Sequence, residues 1–302
     1  MKKFITFILV LCMSSACLAK WPTKDITLVV PYPAGGFNDI LARMAQEELT
    51  EKFKVGVHVK NMPGAANMVA INHVLNTAND HHTFLFTDSE LIAGSVFQGT
   101  NHHTQFVPVV IAGYNPLVLF GNSSSTLTRV KAQNQASVMV NVGVNMPGQL
   151  WLEGIKSNMQ YNIVPYRGTP LLITDVAGGQ IEYGVLSIAA ITSMVKDNRL
   201  VPLVIASDKR NPALPEVPTY KELGWSGDVG INWYGAFARK DTDPEAVNII
   251  TTTVRSLLAK HPRIKDFNSQ GFVSMNTDAK SSAIFITQEV VKFERIKKLR
   301  SQ

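Results

Sequence analysis

The stretch VVPYPAGGFNDILAR, positions 29–43, constrains this chain more than any other. An apolar run is interrupted by Pro31, Pro33 and the pair Gly35 and Gly36, after which apolar residues resume at helical spacing. Proline lacks an amide hydrogen and fixes its own φ, so strand pairing must stop there. The glycines permit positive φ and leave backbone amides uncovered, while Asn38 or Asp39 can cap the helix that follows. A strand, a glycine turn and a helix amino terminus bring several N–H groups to the positive end of a helix dipole, which is a pocket for an anion. The same pattern also serves as a tight strand-to-helix turn that holds nothing. It lacks GxxxxGK[ST] and GxGxxG, which excludes a nucleotide P-loop and gives no support to a dinucleotide fold.

Short β-branched runs alternate with helix-like segments through most of the 302 residues, the pattern of an α/β protein with largely parallel sheets. Strands are expected over 26–31, 55–60, 83–87, 107–112, 117–121, 137–142, 161–164, 181–186, 201–207 and 230–238. Helices are expected over 38–51, 68–76, 148–157, 170–177, 188–197, 244–260 and 281–296. The polar run GNSSSTLTRV at 121–130 and the Pro-rich, charged run at 208–228 read as crossings or surface loops. If both are crossings, residues 20–122 and 229–302 form one lobe and 123–228 the other.

The first twenty residues carry Lys2 and Lys3, an apolar core and small residues before Lys20, the layout of a secretory signal over 1–19. The alternative is lipid attachment at Cys17. Ordinary cleavage removes Cys12 and Cys17, the two cysteines of the chain, and leaves no thiol for a disulfide, metal site or nucleophile. The formal charge of +6 is not gathered into a Lys/Arg block with interleaved aromatics, so nucleic acid is not an expected partner.

Four blocks add a resemblance: WPTKDITLVVPYPAGGFNDILAR, VKNMPGAANMVAINHVLNTANDHHTFLF, VPYRGTPLLITDVAGGQIEYGV and VPTYKELGWSGDVGINWYGAFARKDTDPEAV. In this order they resemble the periplasmic receptors of tripartite tricarboxylate transporters, the Bug-type solute-binding family, from Trp21 nearly to the carboxyl end. The resemblance implies a two-lobed, type II-like periplasmic binding fold with a small carboxylate in the interlobe cleft. It implies a periplasmic, non-enzymatic monomer without cofactor or metal, which delivers its ligand to integral membrane transporter subunits. Carried over by position, it assigns Tyr32, Pro33, Ala34, Gly35, Gly36, Phe37 and Asp39, then Thr87, Asp88 and Ser89, to the cleft face of the first lobe. From the second lobe it assigns Asn145 and Gly148, then Tyr166, Arg167, Gly168 and Thr169, with Asp175 in the helix beyond. The chain departs from the family pattern at Asn145, Met146, Pro147 and Gly148, which replace small hydroxyl residues, at Trp151 in place of a common histidine, and at Arg167 in place of lysine.

Arg167 can form a bidentate pair with a second carboxylate of the ligand or a salt bridge to Asp175. Three or four charge-assisted hydrogen bonds of about 1.5 to 3 kcal/mol each reach the roughly 8 kcal/mol of a micromolar complex, before ordering costs. A periplasmic sensor or a cleft enzyme acting on a carboxylate would need the same crevice. The pairs His81–His82 and His102–His103 read as surface loops, because adjacent side chains on extended backbone point apart. Asp39, Asp88 and Glu90 are candidates for a carboxylate pair, and Asp39 for a first-turn acid or a partner of a ligand amino group. Tyr114 and Asn115 read as a turn near a hinge, and Trp233 and Tyr234 as packing residues rather than a ligand platform.

Overall fold

The computed structural model describes residues 21–65, 67–78, 81–132, 137–142, 147–155, 161–166, 169–228 and 230–300. The expected signal segment and the site candidates Asn145, Arg167 and Gly168 lie outside the described residues. The first lobe opens with β1 (Ile26–Val30), α1 (Phe37–Phe53), β2 (Val57–Asn61), α2 (Met68–Asn76), β3 (Thr83–Asp88) and α3 (Glu90–Gln98). A 3-10 turn over His102–Gln105 leads into the long β4 (Phe106–Asn122). The second lobe follows with α4 (Leu127–Ala132), β5 (Ser137–Val142), α5 (Pro147–Ile155), β6 (Tyr161–Tyr166), α6 (Thr169–Ala177), β7 (Tyr183–Ser187), α7 (Ile188–Lys196) and β8 (Leu200–Ile205). The chain returns to the first lobe through β9 (Ile231–Arg239), α8 (Pro244–Lys260), α9 (Pro262–Ser269), β10 (Val273–Ser274) and α10 (Ala279–Arg300).

Local chemistry explains the boundaries. Helix α1 buries Leu41, Met44, Ala45 and Leu49 on one stripe and stops where Lys54 turns left-handed, at φ 57°. Each large side chain so buried contributes about 1.5 to 3 kcal/mol. Helix α8 starts where the Asp243 carboxylate accepts the Glu245 amide at 2.7 Å, with Pro244 in the first turn.

In the first sheet, β2, β1 and β3 are parallel, and β9 runs antiparallel to both β3 and β4. In the second, β6, β5 and β7 are parallel, and β4 is antiparallel to β7 and β8. Both faces of each sheet are covered, as strands with near-continuous apolar runs require. Leu28, Phe84 and Phe86 pack toward α1 and α8, whereas Val29, Leu85 and Phe237 pack in the cluster that holds residues of α2, α3 and α10. Phe120 joins Leu172 and Ile191, and Leu119 joins Trp151 and Leu152.

Strand β4 belongs to both sheets: its residues 106–116 pair with β9, and 117–122 pair with β7 and β8. At the seam the Leu117 amide donates to the Gly230 carbonyl at 2.9 Å, Gly230 to Ala206 at 2.8 Å and Ala206 to Leu117 at 2.9 Å. A Cβ at Gly230 would lie 2.5 Å from the Trp151 ring, so only glycine fits. Since β3 runs parallel to β4 in the first sheet, its carboxyl end points to the seam. Since β7 runs antiparallel to β4 in the second, Ser187 at its carboxyl end pairs with Leu117 at the same seam. The parallel strands of the two lobes therefore end toward each other, and the helices that follow them begin there.

Several expectations need correction. The two strands expected over 107–112 and 117–121 are one, and Tyr114 and Asn115 lie inside it rather than in a turn. A register shift between Ile111 and Gly113, with Gly113 at φ 159°, absorbs the irregularity as a bulge. The expected loop at 121–130 gives way to α4 at Leu127, and α3 and α9 were not anticipated. His82 is buried rather than a surface residue: it accepts the Thr23 amide at 3.1 Å, and its ring centroid lies 5.3 Å from that of Trp21.

Candidate functional site

The turn after β1 leaves Pro33, Ala34, Gly35 and Gly36 exposed, with Gly35 at φ 95°. A Cβ added at Gly35 or Gly36 would meet no protein atom within 4 Å. Gly36 is the N-cap of α1, and neither Asn38 nor Asp39 caps the helix as expected. Asp39 instead reaches back one turn, and its Oδ2 accepts the Gly35 amide at 2.9 Å. One of the amides expected to stand open is thus occupied by the protein's own carboxylate. The amides of Gly36, Phe37 and Asn38 make no hydrogen bond among the described residues.

Asp39 is buried and firmly held, by Arg43 Nε to Oδ2 at 2.9 Å and by Asn61 Nδ2 to Oδ1 at 2.9 Å. Burial pushes its pKa up, but hydrogen bonds from Arg43, Gly35 and Asn61 outweigh this and leave it below the ordinary aspartate value. The Phe37 ring packs at 4.4 Å from Tyr234 and 4.6 Å from Phe272, which anchors the turn to β9.

A second turn, after β3, lies beside the first. Asp88 Oδ1 accepts the Tyr32 hydroxyl at 2.7 Å and the Glu90 amide at 3.0 Å, and Oδ2 accepts Asn38 Nδ2 at 3.3 Å. Asn67, the N-cap of α2, donates to the Tyr32 hydroxyl at 2.7 Å and to Glu90 Oε2 at 2.8 Å. Burial raises the Asp88 pKa to about 6, against its hydrogen bonds, and burial with the Asp88 charge raises that of Glu90 to about 7. Ser89 Oγ donates to Asn232 Oδ1 at 2.7 Å. Thr87 is fully buried on the Leu85 side of β3, with no hydrogen-bond partner for its hydroxyl among the described residues.

From the second lobe, Pro147 and Gly148 at the start of α5, Thr169 at the start of α6, and Ser187 and Ala190 at the start of α7 line a cavity of about 190 Å³. Leu117 of the seam and Asn232 of β9 complete that wall. Ser187, the N-cap of α7, makes no side-chain bond to the helix amides. Tyr166 donates its hydroxyl to the Asp175 carboxylate within the second lobe, and Asp175 sits in the second turn of α6, away from that helix's amino terminus.

The structure thus brings Tyr32, Gly35, Gly36, Phe37, Asp88 and Ser89 together on one side, and Gly148 and Thr169 on the other. Residue-by-residue reading takes Asn38 as a helix cap and Asn115 as part of a turn and passes over Asn67 and Asn232, yet all four bond within or beside these turns. The period of INWYGAF was the available signal, because alternation puts Asn232 and Tyr234 on one face of β9. No group of three His, Cys, Asp or Glu side chains among the described residues is arranged to hold a metal ion. No helix among them is long and apolar enough to cross a membrane.

A family model described as the tripartite tricarboxylate transporter family receptor, TctC, matches residues 41–301. The chain belongs to this family. It is 25% identical over 284 residues to Protein BugT of Bordetella pertussis, an alignment that covers 89% of this chain and 87% of that one. A TctC solute binding protein from Polaromonas, solved without ligand, superposes with a TM-score of 0.78 at 21% identity and covers 91% of this chain and 98% of its own. MatC from Rhodopseudomonas palustris, solved with bound malate, gives 0.74 at 21% identity, over 92% and 100%. The TctC fold is that of a two-lobed periplasmic binding protein, and the family is one of solute receptors rather than enzymes.

Proposed function

We propose that this TctC receptor captures a small carboxylate between its lobes and delivers it to the integral membrane subunits of a tripartite transporter. One observation carries the reading: helix amino termini of both lobes converge on the β4 seam, with the amides of Gly36, Phe37 and Asn38 unpaired among the described residues on one side. Aligned helix dipoles and free N–H groups favour a negative charge there. The malate bound by MatC, a relative in fold, supports a small organic acid as the ligand class. Tyr32, Gly36, Phe37 and Ser89 would form the first wall, and Gly148 and Thr169 the second. Arg167, on the strength of the resemblance, would pair with a second carboxylate. We further propose export to the periplasm as a monomer, with the two lobes closing over the ligand about the seam.

A thermal-shift screen of mono-, di- and tricarboxylates and amino acids tests the reading. Stabilisation by a carboxylate, with the ligand recovered unchanged, is expected. Absence of any stabilisation, or chemical turnover of a bound acid, would overturn it. Arg167→Ala should weaken a dicarboxylate more than a monocarboxylate, and equal loss would contradict the role proposed for Arg167.

A further inference from the structure

Between the turn after β3 and the seam strand β4, Ser89, Asn232, Tyr234 and Asn115 form a single hydrogen-bonded chain. Ser89 Oγ donates to Asn232 Oδ1, Asn232 Nδ2 donates to the Tyr234 hydroxyl at 3.1 Å, and Asn115 Nδ2 donates to the same hydroxyl at 3.3 Å. In this arrangement the Tyr234 oxygen accepts twice, and its own proton has no acceptor among the described residues. The Asn115 amide can be turned over, since its oxygen and nitrogen occupy nearly equivalent positions. Asn115 Oδ1, which has no partner in the first orientation, would then accept the tyrosine proton, and the Asn115 NH2 group would take its buried place. In the first orientation the Tyr234 proton, and in the second the Asn115 NH2 group, is the donor left to be satisfied at this end of the chain.

Such a donor is costly where it stands. Asn115 is 6% exposed and Tyr234 8%, so neither end of the network has ready access to bulk water. A buried donor without a partner costs more than an ordinary hydrogen bond returns. Its position supplies the remedy: Asn232, one bond away, lines the second-lobe cavity with Gly148, Thr169 and Ser187. The Phe37 ring, which follows the Gly36 amide, lies 4.4 Å from the Tyr234 ring on its other side.

We propose that the Tyr234–Asn115 pair is a ligand contact, whose unsatisfied donor bonds a carboxylate oxygen of the captured acid at the point where the two lobes meet. The proposal rests on the receptor reading above and adds a side-chain donor to its backbone amides. Burial, with the Asp88 charge next in importance, pushes the Tyr234 phenol up to about 12, so the proton is retained at neutral pH.

The test uses the full mature chain and whichever of malate, succinate and citrate stabilises it most, compared by calorimetric titration with the monoamide of the same acid. Wild type should prefer the free acid. Tyr234→Phe should weaken the acid by about tenfold, the worth of one charge-assisted bond, and leave the monoamide's affinity nearly unchanged. If Tyr234→Phe does not fold, the double variant Tyr234→Phe with Asn115→Leu, which replaces both partners by apolar groups of similar size and removes the donor in either orientation, carries the same expectation. A variant that weakens acid and monoamide equally, or neither, would overturn the assignment and leave the receptor reading intact. If none of the three acids stabilises the wild type, the assignment falls together with the reading on which it rests.

Discussion

The two walls of the crevice are built differently. In the first lobe nearly every polar side chain near the turns is tied to several others, as Asp39 is to Gly35, Arg43 and Asn61, and Asp88 to Tyr32, Asn38 and Glu90. In the second lobe Pro147, Gly148, Thr169 and Ser187 bring helix starts to the wall, and Ser187 makes no side-chain bond to the amides of α7. The first wall is held in one shape before any ligand arrives; the second presents the starts of α5, α6 and α7. A change in the first wall should therefore alter stability and binding together, and one in the second should alter binding alone.

Gly36→Val gives the sharpest exception to that rule. Gly36 has φ −77° and open space where a Cβ would point, so the variant should fold, with its melting point shifted by no more than about 2 °C, equivalent to less than ~1 kcal/mol. Its branched side chain would cover the Gly36 and Phe37 amides, and all ligand-induced stabilisation should vanish. Unchanged stabilisation would remove this turn from the site. Asp39→Ala should behave as the rule demands. With three donors released around a buried acceptor, urea denaturation should register a loss of about 2 kcal/mol. A loss within error would mean that the first wall is not braced in the way its hydrogen bonds indicate.

Thr169→Val probes the opposite wall. The side chain keeps its shape and loses a hydroxyl, so affinity should fall about fivefold, or ~1 kcal/mol, with the urea midpoint unmoved. The smallest effect is in the pH dependence. Asp88 and Glu90 titrate at about 6 and about 7 in the folded protein, above their ordinary 3.8 and 4.5. The folded state thus holds more protons than the unfolded one between roughly pH 4 and 7, and stability falls as pH rises through that window. Asp39, with its lowered pKa, works in the opposite sense, contributing stability that is lost as pH falls through its folded value. Glu90→Gln should flatten the decline between pH 4.5 and 7.5, and an unaltered slope would show that this buried acid does not govern it.

Much of the architecture was readable because it rests on local rules. The apolar runs at β1 and β3, the glycine turn and the helix over α8 each follow from residues within a few positions of one another. Strand β4 was harder, because Tyr114 and Asn115 look like a turn when isolated, yet pairing with β9 on a bulged register holds them extended. The site was legible only in part. That Asp39 would fold back onto Gly35 depends on how α1 is oriented against β1 and Asn61. The bond between Ser89 and Asn232 joins residues 143 positions apart, and no local spacing announces it. The starts of α1, α2, α5, α6 and α7 could be seen from sequence, but not the start of α3 or the bonds of Asn67 and Asn232 that knit the turns together.

The seam carries a consequence for engineering. Pro116 and Ile231 face each other as ladder partners at the point where the chain leaves the first sheet and returns to it. The whole intervening portion is an insertion between adjacent antiparallel strands, a gap that a two-residue Asn-Gly hairpin is short enough to close. Excision of 117–230 with such a graft would yield a half-receptor bearing the turns of the first wall alone. The half-receptor would need polar replacements on α10 at Phe293 and Ile296, which line the same crevice as Leu150 and Trp151 of α5.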